Sequence, residues 1–343
     1  MTIPRAETTA REPRRAMPGS FAQFIQTRRR WIALIVVCFA MVMNVLDQTI
    51  VNVALPTLQR DLHFSQASLA WVIDAYLITF GGALLLAGRL GDLIGRKKVF
   101  LVGVALFTLA SAACGAADSE AFLIVARFIQ GIGAALSSSV ILAIIVADFP
   151  DPDERAKAMN SYILVAVGGG SLGLLIGGWV TQVLSWHWIF FINMPIGAAT
   201  FASGLVLIDE NEGFGIAAGV DVPGAVLSTA GLMLAVYTIV STGQYSWGSV
   251  HTIGFGLGAV LMLTLFFFVE RRHRTPIMPL QVLRSGGLLS SSAVRALMVV
   301  GMYCTGFIGV LYLQDVLGYD PIRTGLAFLP QTLAVALVSQ VGT

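Results

Sequence analysis

The sequence predicts an all-α polytopic membrane protein, and three observations carry that prediction. Of 343 residues, 56% are hydrophobic and only 12% are charged, where soluble domains carry roughly 25% charged residues. The apolar residues gather into repeated runs of about 20, the length a bilayer core requires of a helix. The basic residues fall mostly between those runs, in short polar segments. A transmembrane barrel would instead alternate over segments of about 10 residues. The net charge of +2 decides little, because the placement of charge matters more than its sum. Cys38, Cys114 and Cys304 lie inside apolar runs. They read as small buried hydrophobes and offer neither a metal spacing nor a disulfide framework. The hydropathy excludes a soluble enzyme. The sequence shows no nucleophile–base pair and no phosphate loop; no cofactor and no nucleic-acid partner is expected.

Taken in order, residues 1–30 are polar and hold seven arginines. A secretory signal would place its apolar segment nearer the start. This stretch reads as a disordered cytoplasmic tail ending in the anchor Arg28-Arg29-Arg30. Helical spans are then expected at about 31–55, 69–88, 99–117, 121–148, 158–184, 188–208, 222–243, 252–269, 288–313 and 322 to the end. With the first residue inside, seventeen Lys and Arg fall on inner segments and only Arg60 and Arg323 on outer loops. That asymmetry supports ten spans with both ends of the chain cytoplasmic. The segment between spans 6 and 7 is the misfit, with Asp209, Glu210, Glu212 and Asp221 and no basic residue. Acidic residues contribute little to orientation, so the topology stands.

Between spans 2 and 3 the chain reads Gly88-Arg89-Leu90-Gly91-Asp92-Leu93-Ile94-Gly95-Arg96-Lys97-Lys98. The reading is a very short polar loop whose glycines let the backbone turn tightly. Asp92 is placed to accept hydrogen bonds from the N-terminus of the next helix. Arg96, Lys97 and Lys98 mark a cytoplasmic edge.

Ionisable residues inside a span are costly unless paired or hydrated, so they are candidates for function. Asp47 lies roughly 24 Å above the inner end of span 1 at 1.5 Å per residue. Asp74 and Arg127 lie roughly 8 and 9 Å below the outer ends of their spans by the same rise. All three fall at similar depth in the outer half, where an Asp–Arg arrangement facing an internal cavity would satisfy them. A carboxylate poised between ion pairing and desolvation is what a proton-coupled carrier needs. The alternative is a static buried pair that fixes helix packing. Arg295, near the inner end of span 9, reads as structural and able to snorkel.

These segments resemble a known family. The Gly88–Lys98 stretch is similar to the loop 2–3 signature of the major facilitator superfamily. Leu46-Asp47-Gln48-Thr49-Ile50-Val51-Asn52-Val53-Ala54-Leu55-Pro56 resembles the signature of its fourteen-helix drug/proton antiporters, the EmrB/QacA-type branch. Arg127-Phe128-Ile129-Gln130-Gly131-Ile132-Gly133-Ala134-Ala135 resembles the branch's helix 4 segment, in which the arginine is implicated in proton transfer. Gly168-Gly169-Gly170-Ser171-Leu172-Gly173-Leu174-Leu175-Ile176-Gly177-Gly178 resembles the antiporter signature of helix 5, with Leu174 where proline is usual. Its glycine face leaves close packing against helix 8 of a twelve-helix core, or its equivalent, open. Trp186 to Gly197 matches a further family segment, with His187 where arginine is usual, and the Tyr312–Pro330 region extends the likeness.

The resemblance implies a complete N-terminal six-helix bundle over 31–209, two linking helices over 210–270, and the first two helices of a C-terminal bundle over 271–343. It also implies proton-coupled efflux of drugs or small amphipathic compounds across the cell membrane. Asp47, Arg127 and Asp74 would couple protons. Gly88, Asp92, Gly95, Arg96, Gly173, Gly177 and Gly178 would gate the conformational change. Asn52, Gln130 and Tyr76 would line the substrate cavity. The family has fourteen helices, so the chain reads as ending before helices 11 to 14. The rival readings are a non-transporting or partner-dependent membrane protein, and an exporter of one self-made metabolite.

Overall fold

Helices dominate because each apolar run must satisfy its own backbone hydrogen bonds in hydrocarbon. The computed structural model describes residues 21–211, 213, 215, 221–273 and 286–319, with scattered positions as far as 334. The helices are α1 (Phe21–Asp61), α2 (Gln66–Leu69), α3 (Trp71–Ile94), α4 (Arg96–Gly115), α5 (Glu120–Asp148), α6 (Pro152–Val183), α7 (His187–Phe191), α8 (Asn193–Leu207), α9 (Val222–Ser241), α10 (Val250–Arg272) and α11 (Gly286–Leu311). Among the described residues there is no strand, and eight helical segments are long and apolar enough to cross a membrane. α11 occupies the ninth expected span. The tenth span lies largely outside the described residues, as do 1–20 of the expected tail.

Local signals account for several termini. Asp151 caps α6, its Oδ1 accepting from the backbone N–H groups of Asp153 and Glu154 at 3.0 Å, with Pro152 in the first turn. Asp221 caps α9 by accepting from Gly224 N at 2.8 Å. The sixth span is broken at Ile192 into α7 and α8. Pro195 explains the break: it lacks an N–H, and its ring clashes with the carbonyl four residues back, at Phe191.

Close helix contacts build the bundle. α4 and α5 cross where Gly103 meets Gly133, and a β-carbon added to Gly133 would stand 2.5 Å from Phe107 N. Small residues let helix backbones approach in this way within a membrane. Gly173 and Gly177 of α6 face Thr49 and Ile50 of α1. This part of the glycine face of α6 therefore packs inside the first bundle, with Gly178 buried beside it; the second-bundle helix it could also meet lies outside the described residues. α6 runs unbroken through Leu174, as a chain without the usual proline can. The α9–α10 hairpin lies against α3, where the Trp71 and Tyr237 rings meet at a tilt of 32° with centroids 5.8 Å apart.

One edge of the bundle gathers the segments read as cytoplasmic. Arg29 pairs with Asp209 at 2.7 Å, and Arg30 with Glu154 at 3.3 Å. Arg30 also donates to the carbonyl of Asp148. The end of the expected tail, residues 21–30, is thus helical and joined to α1, because its arginines have protein partners at this edge. The acidic misfit segment supplies one of those partners.

The Gly88–Lys98 stretch is not a polar loop. α3 continues to Ile94 and keeps Leu93 buried, and Gly95 alone makes the turn at φ 102°, where only glycine is unstrained. Asp92 does not cap α4. It sits in the last turn of α3 and approaches Arg96 at 3.7 Å. The cap comes from Asn211, whose Oδ1 accepts from Arg96 N at 2.9 Å and Lys97 N at 3.4 Å. Gly91 packs on Val140 of α5, while Gly88 has open space beside it. Cys38 and Cys114 are buried as expected, but Cys304 is exposed on α11, as is Arg295.

The α4–α5 crossing predicts a graded response. Gly133→Leu should destabilise the bundle by about 3 kcal/mol or more, since overpacking at backbone contact has nowhere to relax. Gly254→Leu, where nothing lies within 4 Å, should leave the melting temperature in detergent unchanged.

Candidate functional site

The bundle core forms two apolar clusters along its length. One holds Val37, Met43, Tyr76, Phe107 and Ile141, and the other Leu46, Ile50, Val72, Leu123 and Phe190. Between them lies a polar network built from α1, α3, α4 and α5. Helical spacing produces it: Asn44, Asp47, Gln48 and Asn52 fall on one side of α1, and Arg127, Gln130 and Ser137, three and then seven residues apart, fall on one side of α5.

Asp47 is at the centre. Arg127 Nη1 donates to its Oδ2 at 2.5 Å, and Gln130 Nε2 donates to its Oδ1 at 2.7 Å. Arg127 Nη1 also donates to Gln130 Oε1 at 2.7 Å, which closes a three-residue ring. Arg127 Nε donates to the Val72 carbonyl at 2.8 Å. Its guanidinium lies 4.5 Å from the centroid of the Tyr76 ring, where the ring quadrupole favours a cation. The Cys114 thiol points to Gln130 Oε1 at 3.5 Å. The side chains of Arg127 and Asp47 are 1% and 0% exposed.

Such a pair is stable only because its remaining hydrogen-bonding capacity is met by other groups. Its consequence is chemical. If Asp47 takes a proton, Arg127 loses its counter-charge yet keeps the Val72 carbonyl, Gln130 Oε1 and the Tyr76 face. The cation would keep those three contacts with the protein.

The structure therefore joins Asp47 and Arg127, but it encloses them rather than facing them to a cavity. Gln130 and Tyr76, expected in a substrate-cavity wall, are buried parts of the same network. Asn52 is exposed and donates to the carbonyl of Gln48 in its own helix at 2.7 Å. Long polar side chains here find partners on the neighbouring helix, and that contact removes them from any open space. Asp74 is half-buried on α3 and does not join the network. His187, at the opposite edge, stacks on Trp186 with centroids 3.8 Å apart.

Two network members, Asn44 and Gln48, and the cap residue Asn211 were not singled out from the sequence. Asn44 donates to Ser138 Oγ at 2.8 Å, and Gln48 donates to the Tyr76 hydroxyl at 3.4 Å. Their spacing to Asp47 on α1 was the available signal. Asn211 had none, because its partners lie 115 and 114 residues away.

Fold and site together define an all-helical, multi-pass membrane protein whose first bundle closes around a buried ion pair. The chain belongs to the Major Facilitator Superfamily, whose family model matches residues 37–343; members of that family are transporters and not enzymes. The puromycin resistance protein pur8 of Streptomyces alboniger is 40% identical over 91% of this chain and 61% of its own length. The tetracenomycin C resistance and export protein of Streptomyces glaucescens is 35% identical over 89% of this chain and 56% of its own length. The chain thus spans about three-fifths of the length of these curated relatives. A crystal structure of the peptide transporter POT in complex with sulfate aligns with TM-score 0.52 at 16% identity, covering 70% of this chain and 52% of that one. At that identity the likeness shows the fold alone.

The closed ring predicts an asymmetry between single and paired substitutions. Asp47→Ala should cost about 3–5 kcal/mol by stranding a buried cation. Asp47→Leu combined with Arg127→Met should cost less than Asp47→Ala alone. Thermal unfolding of the purified protein in detergent measures both.

Proposed function

We propose that this protein exports drugs or other small amphipathic compounds across the cell membrane in exchange for protons, with Asp47 and Arg127 as the coupling pair. The observation that carries the reading is the enclosed Asp47–Arg127–Gln130 ring. It can hold or release one charge without dismantling the bundle. Relatives named for antibiotic resistance and export support the substrate class. The edge carrying Gly95 faces the cytoplasm, a reading supported by the concentration of Lys and Arg on the segments gathered there. Asp74 is a secondary proton site. Gly88, Asp92, Gly95 and Arg96 at the α3–α4 edge, and Gly173, Gly177 and Gly178 where α6 packs on the Asp47 turn of α1, are the gating residues, keeping the first half rigid as it moves. Both fit a carrier that works by rocking one half against the other around a central site. A narrower reading, export of one self-made metabolite, is favoured by a relative named for a single compound, tetracenomycin C.

Asp47→Asn keeps the shape of the side chain and an acceptor for Arg127, so the protein should insert and fold. Substrate-driven proton flux in proteoliposomes, followed with a pH dye, should fall to the level of protein-free liposomes. Unchanged flux would remove Asp47 from the mechanism. Arg127→Ala should lose more transport than Arg127→Lys, which keeps the charge but not the planar fork. Equal and full activity in both variants would leave Arg127 with a purely structural role.

A further inference from the structure

The α9–α10 hairpin touches α3 at two levels, and the segment before it meets the first bundle at a third. At the Gly95 edge, the segment leading into α9 is held to the first bundle by its own polar groups. Asp209 pairs with Arg29 at 2.7 Å, Asn211 caps α4, and Gly215 N donates to the Leu93 carbonyl at 3.0 Å. Six residues further on, Asp221 caps α9 itself. In mid-span, Met233 fills the hollow over Gly82, and a β-carbon added there would lie 3.3 Å from the Met233 β-carbon. At the far end, the Tyr237 ring lies tilted against that of Trp71. Its hydroxyl lies 3.0 Å from His251 Nε2 of α10, which ties the second helix of the hairpin to the same point.

We propose that the hairpin is moored to the first bundle and moves with it as one body through the transport cycle, with Asn211 as the inner mooring residue. This rests on the reading of the protein as a transporter. The three levels span the whole of α3, roughly 36 Å at 1.5 Å per residue. A slide or roll of α9 along α3 would have to lift Met233 from its hollow and part Tyr237 from Trp71 together. Each contact is modest alone, but they share one rigid helix and must break in the same step. The same helix supplies the Val72 carbonyl and the Tyr76 ring to Arg127. The mooring therefore also steadies the helix that positions the buried cation.

The test uses the full-length transporter with the exposed Cys304→Ser and the pair Gly82→Cys with Met233→Cys. The β-carbon separation is close to that of a disulfide, so oxidation should join α3 to α9. Uncoupler-sensitive efflux by the oxidised protein should match that of the reduced protein. Efflux that stops on oxidation and returns on reduction overturns the proposal, as does failure of the disulfide to form. Absence of efflux from the unsubstituted protein would instead sink the transporter reading. A second measurement needs no transport: Asn211→Ala should speed hydrogen exchange at the Arg96 and Lys97 amides about fivefold, the change expected for a lost helix cap. Asn211→Asp, which keeps an acceptor for those amides, should leave exchange slow. Unchanged exchange in Asn211→Ala overturns the role of Asn211.

Discussion

A carboxylate and a guanidinium withdrawn from water inside a bilayer constrain everything packed around them. Each charge alone would cost several kcal/mol to bury, so Asp47 and Arg127 each lower the cost of burying the other. The pair in turn needs Gln130 to fill the second carboxylate oxygen, the Val72 carbonyl to accept from Nε, and the Tyr76 ring to face the guanidinium. Those groups come from α3 and α5, and the carboxylate from α1. The relative heights and rotations of three helices are thereby set by one polar cluster, with the apolar clusters above and below it following. Glycine contacts supply the closeness this demands. Gly131 lets α5 approach the backbone of α3 at Tyr76, and Gly173 and Gly177 bring α6 onto the back of the Asp47 turn.

The same logic governs the polar edge at Gly95. There the cost is not buried charge but open backbone groups, since a helix starting after a one-residue turn has N–H groups with no partner. Gly95 has no side chain to offer them. Asn211 reaches in from the segment that precedes the linking hairpin, and Asp209 beside it neutralises Arg29. An acidic stretch that looks misplaced by charge counting thus has a structural use at a basic edge. It also makes the turn between α3 and α4 depend on chain far downstream, so two regions of the bundle distant in sequence cannot shift independently.

Much of this was legible in the residues alone. Hydropathy and the period of the apolar runs determined the all-helical membrane class and the order of the spans, because a segment in hydrocarbon has few ways to satisfy its backbone. The start of α9 lies where the apolar run placed it, while α6 begins ahead of the expected 158, at Pro152, where Asp151 caps it. Asp47 and Arg127 could be paired by depth, because a helix converts sequence position into height. What could not be read was direction. Height does not say whether a side chain looks into a cavity or into a neighbour, and so Gln130 and Tyr76 were assigned to a wall when they belong to the interior. The partner of the α6 glycines, the exposure of Cys304 and the capping of α4 by Asn211 were decided only by the tertiary structure. Each depends on which helix lies alongside, and that is set by contacts between residues tens to more than a hundred positions apart, where local sequence leaves no trace.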